Sequence, residues 1–435
     1  MSMLRFYKYF SYIYKMNKLY AFLFALITLI SCTPTTVPVI SNTEISTKEI
    51  AIKKPLNSAL SQERLKKFDN FVKREMAANK IPGSVVLIKH KGQVAYSKTY
   101  GTKSIADDTP IHKDEIFYIQ SMTKPIVSVA FMMLYEEGYF ALDEPVSKYL
   151  PEFAEMKVAS SHDKASRELV DTERPITIEH LLTHTAGLSH GLGGSDLEKE
   201  YLEALYLTEH KNIKSRAKGL ANMPLVAQPG TKWYYSAAPD VLTLLIEQFT
   251  GMTCAEFLQK RIFDPLNMND TGYNIKSGSE ARKSYLHATK PDGTMDLNER
   301  QTPATGHTIF GGTHGLYSTA ADYMKFSEMI LNNGKANGKT FLGRKTLEMM
   351  SQNYLPEGEY SDRGKGFGLG FGVYMSPRDS GLPVSEGTLD WGGAYNTYFY
   401  IDPKEEVIAV WMMQFAPYTN FYSLKLRQLV GSALD

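Results

Sequence analysis

The chain has 435 residues, 43% of them apolar and 22% charged, with a formal net charge of +1. That is ordinary globular material, enough for one large core or two. Without a basic excess or a clustered basic face, it carries neither the mark of a nucleic-acid binder nor that of a protein that grips an acidic polymer.

At the N-terminus, Arg5, Lys8, Lys15 and Lys18 precede an uncharged, mostly apolar run over residues 19–30. The run is too short to span a bilayer comfortably and fits the apolar region of a secretory leader. It ends in Leu29-Ile30-Ser31-Cys32, which resembles the bacterial lipoprotein signal, whose cysteine is lipidated and becomes the new N-terminus. Met16-Asn17-Lys18 before the same run makes a compact leader by itself, so residue 16 is a second candidate start. Residues 1–32 are read as the leader, and residues 33–60, rich in Thr, Pro, Ser and Val, as a flexible tether. The expectation is an exported protein, held by its lipid at a membrane of the bacterial cell envelope and facing the periplasm or the surface. Lipidation of Cys32 leaves Cys254 without a disulfide partner, so the domain from 61 to 435 relies on its core. Cys254, entering a helical pattern, reads as buried packing rather than as a nucleophile.

Folding begins near Ser61, where Leu65, Phe68, Val72 and Met76 recur at helical spacing until Ile81-Pro82-Gly83 ends the element. Residues 84–90 and 93–100 flank Lys91-Gly92, a hairpin signal. An apolar stretch over 116–120 then runs into a helix predicted over 126–135, apolar almost all round and therefore buried. Helical signals follow at 178–185, 196–209, 239–250 and 255–262, and the glycine-rich run 366–372 reads as a strand that another segment approaches closely. Strands at 397–401 and 407–412 flank a turn through Asp402-Pro403-Lys404, and 423–434 is helical. The pattern predicts an α/β (α+β) fold. An antiparallel sheet is built from both ends of the chain and flanked by the terminal helices, and a mainly helical domain is inserted over about 151–305. A cleft between the two is the expected place for a site.

The segment that speaks to chemistry is Ser121-Met122-Thr123-Lys124 at the mouth of the apolar helix. Residues three apart share a helix face, so the Ser121 hydroxyl and the Lys124 ammonium point at one spot. A serine hydroxyl needs a partner to take its proton, and burial lowers a lysine enough to do so. Alone, S-x-x-K is also a common surface pair. Tyr235, in Pro229-Gly230-Thr231-Lys232-Trp233-Tyr234-Tyr235-Ser236-Ala237-Ala238-Pro239-Asp240, stands before an apolar helix, where a lysine nearby lowers its phenol enough to shuttle protons. Trp391-Gly392-Gly393-Ala394 precedes a strand, where paired glycines permit close backbone approach and suit an oxyanion hole of main-chain N–H groups.

Three tempting patterns are set aside. Gly187-Leu188-Ser189-His190-Gly191 matches G-x-S-x-G but lacks the strand-turn-helix setting of a nucleophile elbow. His180 and His184 stand four apart with neither a glutamate between them nor a third ligand, so hydrogen bonding at a helix end is the better reading, and no metal or cofactor is called for. The run 366–372 lacks G-x-G-x-x-G spacing. His314 and Tyr317 are placed near Trp391 in the cleft wall.

Taken together, these segments resemble the serine β-lactamase and penicillin-recognising hydrolase superfamily, in its class C and family VIII carboxylesterase branch, from about Ser61 to the C-terminus. The stretches 180–188, 315–323 and 398–403 are similar to the family's recurring text as well. The resemblance implies a β-lactamase/transpeptidase-like fold, Ser121 as acylated nucleophile, Lys124 as its activating partner and Tyr235 as general acid/base. It also implies an oxyanion hole from the backbone N–H groups of Ser121 and Ala394, with the order of proton transfer between Lys124 and Tyr235 left open. Two departures bear on substrate. The family's Tyr-x-Asn is Tyr235-Ser236-Ala237 here, and its Lys-Thr-Gly is Trp391-Gly392-Gly393. Losing a charge-assisted contact of roughly 1.5–3 kcal/mol costs about ten- to a hundredfold in affinity for a carboxylate, which tilts the site toward neutral substrates. Substrate contacts are expected from Trp391, Gly392, Gly393, Ala237 and His314. The reading is a serine hydrolase acting on a small-molecule ester or amide, an esterase first. A β-lactamase or D-amino-acid peptidase or amidase and a non-catalytic envelope binding protein are the alternatives.

Overall fold

The computed structural model of the chain describes residues 60–434; the predicted leader, Cys32 and nearly all of the predicted tether lie outside the described residues. Helix α1 (Gln62–Ala77) starts where Ser61 accepts the N–H of Arg64, and it buries Leu65, Phe68, Phe71 and Val72. Strands β1 (Gly83–His90) and β2 (Gln93–Ser104) form the predicted hairpin. Lys91 and Gly92 both adopt positive φ, 50° and 75°, the backbone a two-residue primed turn requires. A short β3 (Thr109–Pro110) pairs with the end of β2.

Helix α2 (Thr123–Glu136) is buried from Thr123 to Leu134. Helix α3 (Ile178–Leu182) stops before the predicted 185 because His184 takes the left-handed conformation at φ 58°. Helix α4 (Asp196–Leu202) passes into a π turn over Glu203–Leu207, so the predicted helix 196–209 changes pitch and ends early. Helix α5 (Ile213–Ala221) was not legible as a helix, since few apolar residues mark its face; Asn212 and Ser215 start it as a capping box. Helix α6 (Ala238–Thr250) follows as expected, whereas the helix predicted over 255–262 is α7 (Cys254–Leu258) continued by a π turn over Gln259–Phe263; Cys254 is fully buried and its thiol pushed up to about 12 by that burial. Helix α8 (Ala320–Leu331) is capped by Thr319.

The glycine-rich run is two strands rather than the single one predicted. Strand β4 (Lys365–Phe367) and strand β5 (Gly372–Tyr374) pair antiparallel around a turn in which the Gly368 N–H bonds the Phe371 carbonyl at 2.8 Å. Strands β6 (Leu389–Gly392), β7 (Tyr398–Asp402) and β8 (Val407–Met412) come next, and helix α9 (Asn420–Gly431) begins three residues before the predicted start because Thr419 caps it.

One eight-stranded antiparallel sheet results, in the order β4-β5-β6-β7-β8-β1-β2-β3. The two ends of the chain therefore meet at its centre, with Val85 opposite Met412 and His90 opposite Val407. Alternate residues of β8 enter different cores. Val407, Ala409 and Trp411 lie under α1 and α9 with Phe68, Leu426 and Val430, whereas Ile408, Val410 and Met412 join α2, α6 and α8 in the larger core. With both faces covered, the strand reads as a continuous apolar run. The Ser61 N–H closes the terminal layer on the Ala433 carbonyl at 2.8 Å.

Glu115, just before the stretch that leads to Ser121, is 1% exposed, and its nearest cation, Lys103 Nζ, is 4.0 Å away. Burial pushes its carboxyl from an ordinary 4.5 up to about 7. Because the folded form holds its proton more tightly than the unfolded form, stability falls as pH rises from about 4.5 to about 7, by about 3 kcal/mol in all. Glu115→Gln should remove that loss. Denaturant unfolding should find the variant more stable than the wild type at pH 8 and equal to it near pH 4.5; equal stability at both would refute the assignment.

Candidate active site

The backbone that presents Ser121 is held from several sides. Phe117 and Tyr118 pair with Ser318 and Tyr317, and the Ile119 N–H bonds the Leu316 carbonyl at 3.0 Å. Gln120 then takes φ 50°, a conformation a non-glycine residue adopts at a cost, and Ser121 sits in the tight turn that feeds α2. The Tyr323 hydroxyl donates to the Met122 carbonyl at 3.0 Å, and the Thr123 hydroxyl accepts from the Leu316 N–H at 3.2 Å. Three residues on from Ser121, Lys124 lies 1% exposed with Nζ 3.3 Å from Ser121 Oγ. Nζ also donates to the Thr313 carbonyl at 2.8 Å and stands 4.5 Å from the centre of the Tyr235 ring.

Burial drives the Lys124 amine well below the usual lysine range, with Asp240 pulling it back up and Arg216 pushing it further down. A neutral amine keeps a lone pair for the Ser121 hydroxyl while its N–H serves Thr313. Tyr235 moves opposite to the expectation. Burial raises its phenol, and the hydrogen bond with Ser121 only partly offsets this. The lowered phenol predicted from a neighbouring ammonium fails because the lysine is itself desolvated. The site therefore sets an amine shifted down against a phenol shifted up across one hydroxyl.

His184 positions the tyrosine. Its carbonyl accepts the Tyr234 N–H at 2.9 Å, its Nδ1 lies 2.8 Å from Ser236 Oγ, and its ring is 5.1 Å from that of Tyr235. His180 instead closes the start of α3, accepting the Thr177 N–H at 3.2 Å. The two histidines are thus engaged separately, and among the described residues no group of three His, Cys, Asp or Glu could hold a metal ion. Ser189 is 1% exposed and its hydroxyl donates to Glu198 at 2.7 Å, which takes it out of contention as a nucleophile.

Strand β6, which ends at Gly392, packs against the turn that holds Ser121, and Gly393 follows beside Ile119. The Gly393 N–H bonds the Thr397 carbonyl at 2.7 Å and the Asn396 N–H returns to the Gly393 carbonyl at 2.9 Å, a turn that leaves Ala394 exposed. Only glycine fits at 393, where a Cβ would lie 2.2 Å from Thr397 Oγ1 and 2.4 Å from the Ile119 carbonyl. The Trp391 ring is 5.5 Å from that of Tyr235. Over its face, 5.1 Å from the ring centre, lies Lys365, whose ammonium is bound to buried Asp390 at 2.7 Å; Arg427 joins the same carboxylate at 2.9 Å. The cation absent from position 391 is thus present nearby, but behind the indole ring and bound to Asp390.

Other predicted contacts are not in the wall. Ala237 has no exposed surface, and its N–H bonds the Ser189 carbonyl at 3.1 Å, so its side chain belongs to the core. Tyr317 is 1% exposed, held by the Pro303 carbonyl at 2.6 Å and packed on Tyr118 rather than near Trp391. His314 is half-buried, 3.3 Å from the Tyr118 hydroxyl and stacked on Tyr206, so it joins the site from the side away from Trp391. A row of rings, Trp391, Tyr235, His190, Tyr206 and His314, connects the two sides at centre spacings of 5.3–5.7 Å. Sequence reasoning passed over Thr313 and Arg216 and gave no role to Asp240, the last residue of the segment around Tyr235. The available signal for Asp240 was an acid in the first turn of an otherwise apolar helix.

The family model described as Beta-lactamase matches residues 68–430. Esterase EstB of Burkholderia gladioli is 28% identical over 358 residues, 77% of this chain and 86% of that one. Lovastatin esterase of Penicillium rubens is 29% identical over 367 residues, 77% of this chain and 89% of that one. Among solved structures, EstCE1, described as a hydrolase with promiscuous acyltransferase activity, superposes with a TM-score of 0.74 at 24% identity, over 85% of this chain and 99% of that one.

Proposed function

The chain belongs to the Beta-lactamase family and is a serine hydrolase, and from that premise we propose that it cleaves neutral carboxylic esters through an acyl-enzyme on Ser121. The observation that carries the reading is the approach of a buried Lys124 amine to within 3.3 Å of the Ser121 hydroxyl. The neutral amine accepts the hydroxyl proton as Oγ attacks the ester carbonyl carbon. The N–H groups of Ser121 and Ala394 receive the oxygen that becomes negative. As the C–O bond to the alcohol breaks, the Tyr235 phenol gives its proton to the departing alkoxide and regains one from the Lys124 ammonium. Water repeats the sequence on the acyl group, releasing the acid and restoring Ser121. The two directions of shift, amine down and phenol up, favour Lys124 as the first base.

Esters are favoured over lactams and D-alanyl peptides by the charge at the sheet edge. Those substrates present a carboxylate, and position 391 offers it an uncharged indole ring, with Lys365 held behind that ring on Asp390. The names of EstB and lovastatin esterase agree with that preference. Purified protein should turn over p-nitrophenyl butyrate with a kcat/KM about ten- to a hundredfold above that for nitrocefin or a D-alanyl peptide, and a fluorophosphonate probe should label Ser121. Efficient nitrocefin turnover with poor ester turnover would overturn the preference, and an unlabelled Ser121 would overturn the enzyme.

A further inference from the structure

Behind Lys124 lies a buried ion pair that the chemistry above does not use. Asp240, in the first turn of α6, has no exposed surface, and Arg216, on α5, is 6% exposed. Arg216 Nε meets Asp240 Oδ2 at 2.8 Å. The other carboxylate oxygen, Oδ1, accepts the Thr313 N–H at 2.8 Å, and the Thr313 carbonyl accepts Lys124 Nζ at 2.8 Å. Thr313 is itself fully buried, with its hydroxyl donating to the Ala237 carbonyl at 3.3 Å. An unbroken series of contacts thus runs from Arg216 through Asp240, Thr313 and Lys124 to Ser121. A buried ion pair is a weak source of stability, since desolvation offsets most of its attraction, so stability alone accounts poorly for this one.

We propose that Arg216 and Asp240 are positioning residues for Lys124: Asp240 holds the Thr313 carbonyl against the amine, and the opposed charges of the pair set the field in which the amine exchanges its proton with Ser121. The inference rests on the reading of Lys124 as base. The other groups facing the amine are uncharged. They are the Ser121 hydroxyl, the Tyr235 ring and the His184, His190 and His314 rings, which burial keeps far below the usual imidazole range. Asp240 raises and Arg216 lowers the amine's proton affinity, so removing one charge at a time moves it in opposite directions.

The test is the pH profile of kcat/KM on p-nitrophenyl butyrate, which is uncharged throughout. Activity rises with pH as the base loses its proton. Arg216→Met should move that limb up by about one pH unit, and Asp240→Asn, which keeps an acceptor for Thr313, should move it down by about one. Arg216→Lys, which keeps the charge, should hold the limb near the wild-type position, and the double variant Arg216→Met/Asp240→Asn should bring it back. A purely structural pair would lower activity without opposed shifts. Unmoved limbs, or limbs that move the same way in folded variants, overturn the proposal. Should one single variant fail to fold, as judged by near-ultraviolet circular dichroism, the direction taken by the other decides. A wild-type enzyme that neither cleaves esters nor takes a fluorophosphonate on Ser121 overturns the parent reading and this one with it, whereas absent shifts in an active enzyme overturn this one alone.

Discussion

Lys124→Met is expected to lower kcat/KM on a neutral ester by about 10²- to 10⁴-fold, the usual worth of a positioned general base, while leaving the fold intact. The side chain is 1% exposed in the apolar helix α2, among Ile126, Val127 and Phe131, so methionine fills the same volume without a polar end to desolvate. What is lost is the contact of Nζ with Ser121 Oγ and with the Thr313 carbonyl. Stability should stay level or rise by about 1 kcal/mol, because an amine buried by function is a liability to the core. Opposite signs for activity and stability separate a catalytic lysine from a structural one, and steady-state kinetics with thermal melting reads both. A variant that keeps more than a tenth of wild-type activity would remove Lys124 from the mechanism.

Gly393→Ala is the second large effect. The added methyl would fall 2.2 Å from Thr397 Oγ1 and 2.4 Å from the Ile119 carbonyl, both too close to exist, so the turn bearing Ala394 must swing away from the segment that presents Ser121. Thr397 Oγ1 donates to the Ile119 carbonyl at 3.3 Å, and the clash breaks that contact too. Displacing one donor from a developing oxyanion costs about 10²- to 10³-fold in kcat, and crowding of this kind costs about 1–3 kcal/mol of stability. Because the donor acts in the transition state, KM should change little. The neighbouring position is the control. At Gly392 the nearest atoms would be 3.4 Å from a new Cβ, so Gly392→Ala should be tolerated. Equal kinetics for the two variants would refute the role given to the turn.

What the sequence disclosed follows the range of the interaction concerned. The hairpin at Lys91-Gly92 and the Ser121–Lys124 pair were legible because each depends on residues a few positions apart, where turn chemistry and helical spacing speak directly. The terminal strands were legible because alternate residues of β8 enter two cores and all must be apolar. The Lys124–Thr313 and Thr313–Asp240 contacts join segments 189 and 73 positions apart, and no local pattern reports on either. The direction of the Tyr235 shift was misjudged for the same reason, since it depends on how much protein covers the ring. Ala237 was placed in the wall by analogy of position, whereas the fold turns it into the core.

Placing β8 between β7 and β1 has a consequence for the order of events during synthesis. The strand beside Val85 is not made until Met412 has left the ribosome, so the early hairpin waits with an open edge for most of translation. Until then the segment that leads into Ser121 also lacks Thr397, whose hydroxyl bonds the Ile119 carbonyl. The proposed site is thus completed only when the late strands of the sheet join the early hairpin.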